Sequence, residues 1–313
     1  MSSVAALLEG SASRINEYDL VVIIVTWNVK ELLVNCLRSV LVAGSKLSVH
    51  VVVVDNASSD GTGEMMKAQF PDIEFLYNQT NLGFASANNI ALRKYGFQAK
   101  YCLLLNPDTV VPADVFVAML DFMERHPDAG MAGCKVVKED GVLDWPCKRS
   151  RIVPSVLFYK AVGLDRLFPK SPRFGRYHLT YLDENETHEV DAIVGAFMLI
   201  RQQCLLQIGE LDSSIFMYGE DLEWCYRAKR AGWKVYYVPT TSIVHHKGKS
   251  SAKRSYHMIG HWYRGAWKVY EKQIAPDYAW PINVMVWLGF HVMCGASLFT
   301  NLLRREKRVP SRR

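Results

Sequence analysis

Leu20-Val21-Val22-Ile23-Ile24-Val25-Thr26-Trp27-Asn28 and Val49-His50-Val51-Val52-Val53-Val54-Asp55-Asn56 are the stretches that decide how this chain folds. Each is a continuous, largely β-branched apolar run with turn residues only at its end, the pattern of a strand covered on both faces. Between them, residues 29–42 place Leu32, Leu33, Cys36, Leu37 and Val40 on one helical stripe, opened by Asn28 as cap. Strand, helix, strand at this spacing is the unit of a parallel sheet.

The alternation continues outward. Asn56-Ala57-Ser58-Ser59-Asp60-Gly61 reads as a polar turn, 62–70 as a helix, 73–77 as a third strand, 84–95 as a helix and 101–105 as a fourth strand. The spacing predicts an α/β domain with a mostly parallel, Rossmann-like sheet. Beyond Asp108 the pattern weakens: a helix over 113–126, a strand over 131–137 and a turn at Asp140-Gly141. Residues 145–188 have no clear period and read as a long loop region, the kind of segment that forms lids and binding loops. Residues 190–200 regain strand character, interrupted by Gly195-Ala196, 221–231 read as a helix closed by Gly232, and 233–238 as a strand stopped by Pro239.

Where the strands end, carboxylates and amides collect. Asp55 closes the second run, Asn106-Pro107-Asp108 the fourth, and Tyr218-Gly219-Glu220-Asp221 precedes the helix over 221–231. A lone acidic turn means little, because Asp is an ordinary turn and cap residue. Several such turns beyond the C-terminal ends of parallel strands mark where an open α/β sheet binds ligands. The chain therefore reads as an enzyme working on a nucleotide-activated substrate.

Composition frames that reading. The 313 residues are 50% hydrophobic, 22% charged and 12% aromatic, with a net charge of +6. Seven cysteines are scattered without a C-x-x-C pair, which fits reduced thiols of a cytosolic protein and argues against structural zinc. The N-terminal stretch lacks a basic region followed by an apolar core, so no signal peptide is expected. No nucleic-acid motif occurs. Three regions follow: an N-terminal tail over 1–19, the α/β domain over 20–251, and apolar or amphipathic helices with a basic tail over 252–313.

The C-terminal region points to a membrane. Residues 279–303 are almost wholly apolar and long enough on paper to cross a bilayer, yet contain Pro281, Asn283, His291 and Asn301. Arg304, Arg305, Lys307 and Arg308 follow and should stay on the cytoplasmic side. A simple span would then place the domain outside, away from activated donors. A helix lying in the interface is the better expectation, with 256–272 mixing cations and aromatics beside it. The protein is expected on the cytoplasmic face of the inner (plasma) membrane, peripheral or monotopic.

Taken in order, Thr26-Trp27-Asn28, Asp55 to Thr62, Asn81-Leu82-Gly83-Phe84-Ala85, Leu104-Leu105-Asn106-Pro107-Asp108-Thr109, Phe216 to Asp221, Tyr236-Tyr237-Val238-Pro239 and His245-His246-Lys247-Gly248-Lys249-Ser250 resemble the family-two inverting glycosyltransferases of GT-A fold. Within that family the set is most similar to the bacterial rhamnosyltransferase-like branch that builds cell-wall linkers and surface polysaccharides. The resemblance covers roughly 20–251 and is specific as an ordered set.

It implies roles for particular residues. Asp108 matches the last acid of the family's D-x-D turn and would hold a divalent metal, Mg²⁺ or Mn²⁺; Asn106 stands at the first acidic position. His245 resembles the C-terminal metal or diphosphate ligand, with His246 as its alternative, and Lys249 would close over the diphosphate. Thr26, Trp27, Asn28, Asp55, Asn81, Gly83 and Asn88 would contact the nucleotide donor; for Asn81 and Asn88, capping and packing explain the residues equally well. An inverting transfer needs one carboxylate to take the acceptor hydroxyl's proton, and Asp221 is the candidate base with Glu220 beside it. Gly195, Ala196, Trp224 and Arg227 fall on the acceptor side.

Other classes fit less well. A Rossmann oxidoreductase wants G-x-G-x-x-G after the first strand, where this chain has Trp27-Asn28-Val29-Lys30-Glu31. A sugar nucleotidyltransferase wants a Gly-rich basic loop there. A non-catalytic membrane-bound assembly subunit would tolerate the loss of Asp108 and Asp221, and both are present. The expected reaction is transfer of a sugar, L-rhamnose from dTDP-rhamnose, to a polyprenyl-diphosphate-linked saccharide; a UDP-hexose or galactofuranose donor is the alternative.

Overall fold

β1 (Tyr18–Thr26) sits between β2 (Val49–Asp55) and β4 (Ala99–Leu105), both parallel to it, and β3 (Glu74–Tyr77) runs parallel outside β2. This computed structural model describes residues 17–246 and 256–306, the side chains of 256–257 and 303–306 excepted. The apolar runs behave as their composition demands: Val21, Val22, Ile23 and Ile24 are fully buried, as are Val52, Val53 and Val54. Register then does the positioning. Thr26 pairs with Asp55, Asp55 with Tyr77, and Ile24 with Leu105, so the polar strand ends form one edge.

The remaining strands complete a nine-stranded sheet. β8 (Phe197–Arg201) lies antiparallel on β4, and β6 (Ala129–Val137) antiparallel on β8. β9 (Lys234–His245) runs parallel to β6, with β5 (Thr109–Val110) and β7 (His188–Val190) antiparallel on it. The first four strands in space are parallel as expected, and the second half is mixed. Antiparallel pairing has a use here: it brings the start of β8 to the end of β4, with Phe197 opposite Leu105, and the end of β9 to β5, with His245 opposite Thr109.

The predicted helices appear with small shifts, as Lys30–Ala43, Thr62–Gln69, Phe84–Tyr95, Val115–Arg125 and Glu220–Arg230. Four expectations need correction or refinement. The strand character expected over 190–200 with an interruption at Gly195-Ala196 is two strands with different partners, β7 on β9 and β8 between β4 and β6. The strand predicted to stop at Pro239 continues to His245, because the ladder with β6 slips between Cys134 and Lys135, and proline is tolerated at such irregularities. The segment 145–188 is not loop alone but holds a 3₁₀ turn (Trp145–Cys147) and the helices Pro154–Ala161 and Leu164–Leu167. Fully buried Lys148 ties it down, donating to the carbonyls of Leu179 at 3.0 Å and Leu182 at 2.9 Å.

The fourth correction concerns the boundaries. Tyr18 and Asp19 already belong to β1, whereas residues 1–16 lie outside the described ones. The helix Tyr256–Gln273 belongs to the domain: Val269, Tyr270 and Ile274 just after it are fully buried in the common core. A final helix, Trp280–Glu306, folds back on it, with Tyr270 Oη donating to Asn283 Oδ1 at 2.7 Å and a 2.9 Å contact between the Tyr263 and Ser297 hydroxyls. Pro281 falls in its first turn, where proline lacks only a donor the helix does not use. The stretch Trp280–Leu302 has mean hydropathy 1.6 and is long and apolar enough to cross a membrane; only 6% of it is buried. Trp280, Met285 and Val292 are among its exposed side chains. The cysteines are free, six of them buried.

Candidate active site

One cavity of about 1650 Å³ opens along the polar strand ends. Its donor-side wall contains Thr26, Trp27, Asn81, Gly83, Asn106 and Asp108. Thr26 Oγ1 is buried there without a hydrogen-bond partner, a polar atom that a ligand would satisfy. Asn56, which the sequence reading passed over as a turn residue, organises this wall: its amide donates to the Gly83 carbonyl at 3.2 Å and accepts from Asn78 at 3.0 Å. Gly83 has φ 82°, and a Cβ there would overlap the Phe216 carbonyl, which accepts from Phe84 N–H at 2.9 Å. That contact ties the 81–84 turn to the segment bearing Glu220 and Asp221.

Three predicted donor residues sit behind the wall instead of on it. Asn28 holds the 58–60 loop, accepting from Ser59 N–H at 2.7 Å. Asp55 is buried and accepts from the Ser58 hydroxyl at 2.5 Å, with desolvation pushing its pKa up. Asn88 is buried within its helix, donating to the Phe84 carbonyl at 2.9 Å. Asp55 and Asn88 are buried because strand and helix packing claim them before any ligand arrives. Lys249 lies outside the described residues.

Asp108 and His245 meet at the cavity floor, Oδ1 to Nε2 at 3.1 Å, with both side chains buried. The β5–β9 pairing makes this contact across 137 positions of sequence. On the other ring nitrogen, His245 Nδ1 lies 3.4 Å from Asp144, a carboxylate the sequence reading did not single out. Asn106 Nδ2 approaches His245 Nε2 at 3.4 Å. His246, the alternative ligand, turns away to Glu139 at 2.6 Å. Among the described residues no group of three or more His, Cys, Asp or Glu is placed to hold a metal ion. The oxygen and nitrogen of Asp108 and His245 nevertheless fit one edge of a coordination sphere, since adjacent octahedral ligands at Mg²⁺ distances stand about 3 Å apart. Asp144 behind His245 is the carboxylate–histidine arrangement that fixes a ligating imidazole. A donor set of this kind takes Mg²⁺ or Mn²⁺, with diphosphate oxygens filling further positions.

Glu220 and Asp221 stand in the first turn of the Glu220–Arg230 helix and line the same cavity. Tyr218 (φ 70°) and Gly219 (φ 105°) both adopt left-handed conformations to make the tight entry. Asp221 Oδ2 receives the buried Arg149 guanidinium at 2.6 Å and Gly195 N–H at 3.2 Å, and Oδ1 receives Leu222 N–H at 2.8 Å. Burial works against the charge of Arg149, but the Asp221 carboxylate outweighs it and holds the guanidinium pKa above its ordinary value. Glu220 is different: burial, aided by the Asp221 charge, pushes its pKa up to about 8, and its Oε2 is buried without a partner.

Gly195 and Ala196 line the cavity as expected, with Ala196 O accepting from Asn106 N–H at 3.1 Å. Trp224 and Arg227 are not among the lining residues. Trp224 is fully buried and donates to the Gly209 carbonyl at 2.9 Å; Arg227 pairs with Glu223 at 2.8 Å. They brace the helix because they occupy its inner face. Gly265 of the following helix presses on the turn before Glu220, so close that a Cβ would overlap the Tyr218 carbonyl.

Comparison with known proteins agrees with this arrangement. Residues 18–265 match the family described as "Glycosyltransferase like family 2". The N-acetylglucosaminyl-diphospho-decaprenol L-rhamnosyltransferase of Mycobacterium tuberculosis (strain ATCC 25618 / H37Rv) is 28% identical over 84% of this chain and 89% of that protein. Rhamnosyltransferase WbbL of Escherichia coli (strain K12) is 28% identical over 52% of this chain and 61% of its own length. Among solved structures, the Pyrobaculum calidifontis mannosyltransferase PcManGT in complex with GDP-Man and Mn²⁺ aligns over 93% of this chain and 75% of its own, at 17% identity and a TM-score of 0.56. GalNAc-T7 with UDP, GalNAc and Mn²⁺ aligns over 82% of this chain and 48% of its own, at 16% identity and a TM-score of 0.54. The fold is GT-A.

Proposed function

This chain belongs to glycosyltransferase family 2, and from that premise we propose that it is an inverting enzyme moving L-rhamnose from dTDP-rhamnose to a polyprenyl-diphosphate-linked saccharide at the cytoplasmic membrane surface. The observation that carries the reading is the content of one cavity: Asp108 and His245 on one wall, Glu220 and Asp221 on another, continuous with apolar side chains of the C-terminal helices. The rhamnose is supported by the names of the Mycobacterium tuberculosis and Escherichia coli relatives, and the lipid-linked acceptor by that of the Mycobacterium tuberculosis protein.

The residues divide the work. The wall of Thr26, Asn81 and Gly83 seats the nucleotide, and Asp108 with His245 would hold a divalent metal. Such an ion, when bound, neutralises charge on the leaving diphosphate. Asp221 accepts the proton of the acceptor hydroxyl as its oxygen bonds to the anomeric carbon; the bond to the diphosphate oxygen breaks and its electron pair leaves with the nucleotide. Arg149 fixes the orientation of the carboxylate, and Gly195 N–H pins the same oxygen. Glu220 with a raised pKa stays protonated at neutral pH, so one negative charge faces the acceptor and not two.

Release of nucleoside diphosphate from a panel of sugar nucleotides, with Mn²⁺ and a polyprenyl-diphosphate-linked N-acetylglucosamine present, tests this. Turnover with dTDP-rhamnose well above that with UDP-hexoses supports the reading. Preference for a UDP-sugar replaces the donor assignment, and no turnover with any donor overturns the enzyme.

A further inference from the structure

The cavity extends past Asp221 into an arm that the transfer of a sugar does not by itself require. Its walls are the helices Pro154–Ala161, Tyr256–Gln273 and Trp280–Glu306, contributing Leu157, Phe158, Trp262, Met285, Phe290 and Met293. Phe158, Trp262 and Met285 remain well exposed, so the arm is apolar surface that no described residue covers. It leads out along the helix whose 23-residue apolar stretch is almost entirely uncovered.

Two cations stand in the same cavity, apart from the Asp108 and Asp221 centres. Arg173 stacks near Tyr159 and Phe174 and donates Nε–H to Tyr159 Oη at 3.1 Å, and among the described residues no carboxylate pairs with it. Lys160, next in sequence to Tyr159, lies over the Tyr177 ring at 4.1 Å, stands 3.4 Å from His178 Nε2 and reaches Asp165 at 3.7 Å, which leaves one of its three donors uncommitted. Guanidinium and ammonium groups on an aromatic shelf, with unused donors, suit a dianionic diphosphate. An apolar arm continuing from such a site suits the chain esterified to it.

We propose that Lys160 and Arg173 form the subsite for the acceptor's diphosphate, and that the arm between the Pro154–Ala161 and Trp280–Glu306 helices holds the first isoprene units of its polyprenyl chain. This rests on the reading of the acceptor as lipid-linked. The sugar then projects back from Arg173 toward Asp221, with the lipid leaving along the exposed helix into the bilayer.

The full chain in detergent, titrated with undecaprenyl diphosphate and separately with undecaprenol, reads the subsite without relying on transfer; quenching of Trp262 fluorescence is the signal. Wild type should bind the diphosphate at least about tenfold more tightly than the alcohol, and the double variant K160Q/R173Q should lose that preference. Gly289 also lines the arm, and a Cβ there meets nothing within 4 Å, so G289W fills the space without backbone strain. It should raise KM for a long-chain acceptor about tenfold more than for a short-chain one. Equal affinity of wild type for diphosphate and alcohol, or unchanged preference in K160Q/R173Q, overturns the subsite. An unchanged KM ratio in G289W overturns the arm. If binding follows the expectation but no donor is consumed, the enzymatic reading fails and the lipid site stands.

Discussion

Arg149 and Asp221, 72 residues apart in the chain, meet at 2.6 Å with both side chains buried. The pair turns a turn carboxylate into one with a fixed direction, because the guanidinium also donates to the Ile193 carbonyl at 2.5 Å. Asp221→Asn keeps the shape and removes the proton acceptor. Turnover should fall at least about a hundredfold while nucleoside diphosphate affinity stays close to wild type. Near-normal turnover would remove Asp221 from the role of base.

Asp144 is expected to matter to a metal it does not touch. It holds the far nitrogen of His245, so Asp144→Asn should weaken the Mn²⁺ enhancement of nucleoside diphosphate binding by about tenfold to a hundredfold. Asp108→Ala should abolish the enhancement. Calorimetric titration with and without Mn²⁺ measures both, and equal enhancement in Asp108→Ala and wild type would remove Asp108 from the metal site.

Glu220 makes stability depend on pH in a definite direction. Its folded pKa of about 8 lies above the ordinary 4.5, so the folded protein keeps a proton that the unfolded chain gives up. The contribution of this group is therefore full below about pH 4.5 and is lost as pH rises through about 8. Glu220→Gln carries no such titration. Its Tm relative to wild type should rise between about pH 5 and about pH 9, and a constant difference would contradict the buried carboxyl.

Two truncations should behave differently. A chain ending at Ser251 loses Val269, Tyr270 and Ile274, all fully buried, and each such side chain contributes roughly 1.5–3 kcal/mol by burial. The loss is comparable to the stability of a whole domain, so this fragment should not fold. A chain ending at Tyr278 keeps them, sheds the apolar helix, and should fold, bind nucleotide and stay in solution when vesicles are sedimented. A folded fragment ending at Ser251, seen by circular dichroism, would refute the packing role of the Tyr256–Gln273 helix.

The sequence is most informative where local pattern and global burial coincide. β1, β2 and β4 are continuous apolar runs because both faces are covered, and no other element type fits them. The strand ends carrying Thr26, Asn106 and Asp108 follow from that alternation. Pro239 misled as a stop because its tolerance depends on a ladder slip with a strand a hundred residues earlier, which no local signal reveals. Arg149 was invisible for a related reason: it sits in an aperiodic segment, and only the fold brings it to Asp221. Trp224, Arg227 and Asn88 share helices with site residues, yet face the core side, so their proximity in sequence overstated their access to ligand.

The contact of Gly265 with Tyr218 limits how this enzyme's parts can be exchanged. The two backbones touch with no room for any side chain, so the Tyr256–Gln273 helix leading to the final apolar helix and the turn presenting Asp221 form a matched pair of surfaces. Among the described residues the last fully buried side chain is Ile274, and beyond it the final helix meets the domain only through partly buried contacts such as Tyr270 with Asn283 and Phe290 against the core. Inside that point the C-terminal helices and the chemistry are inherited together, and a chimera joined there has to carry the glycine with it.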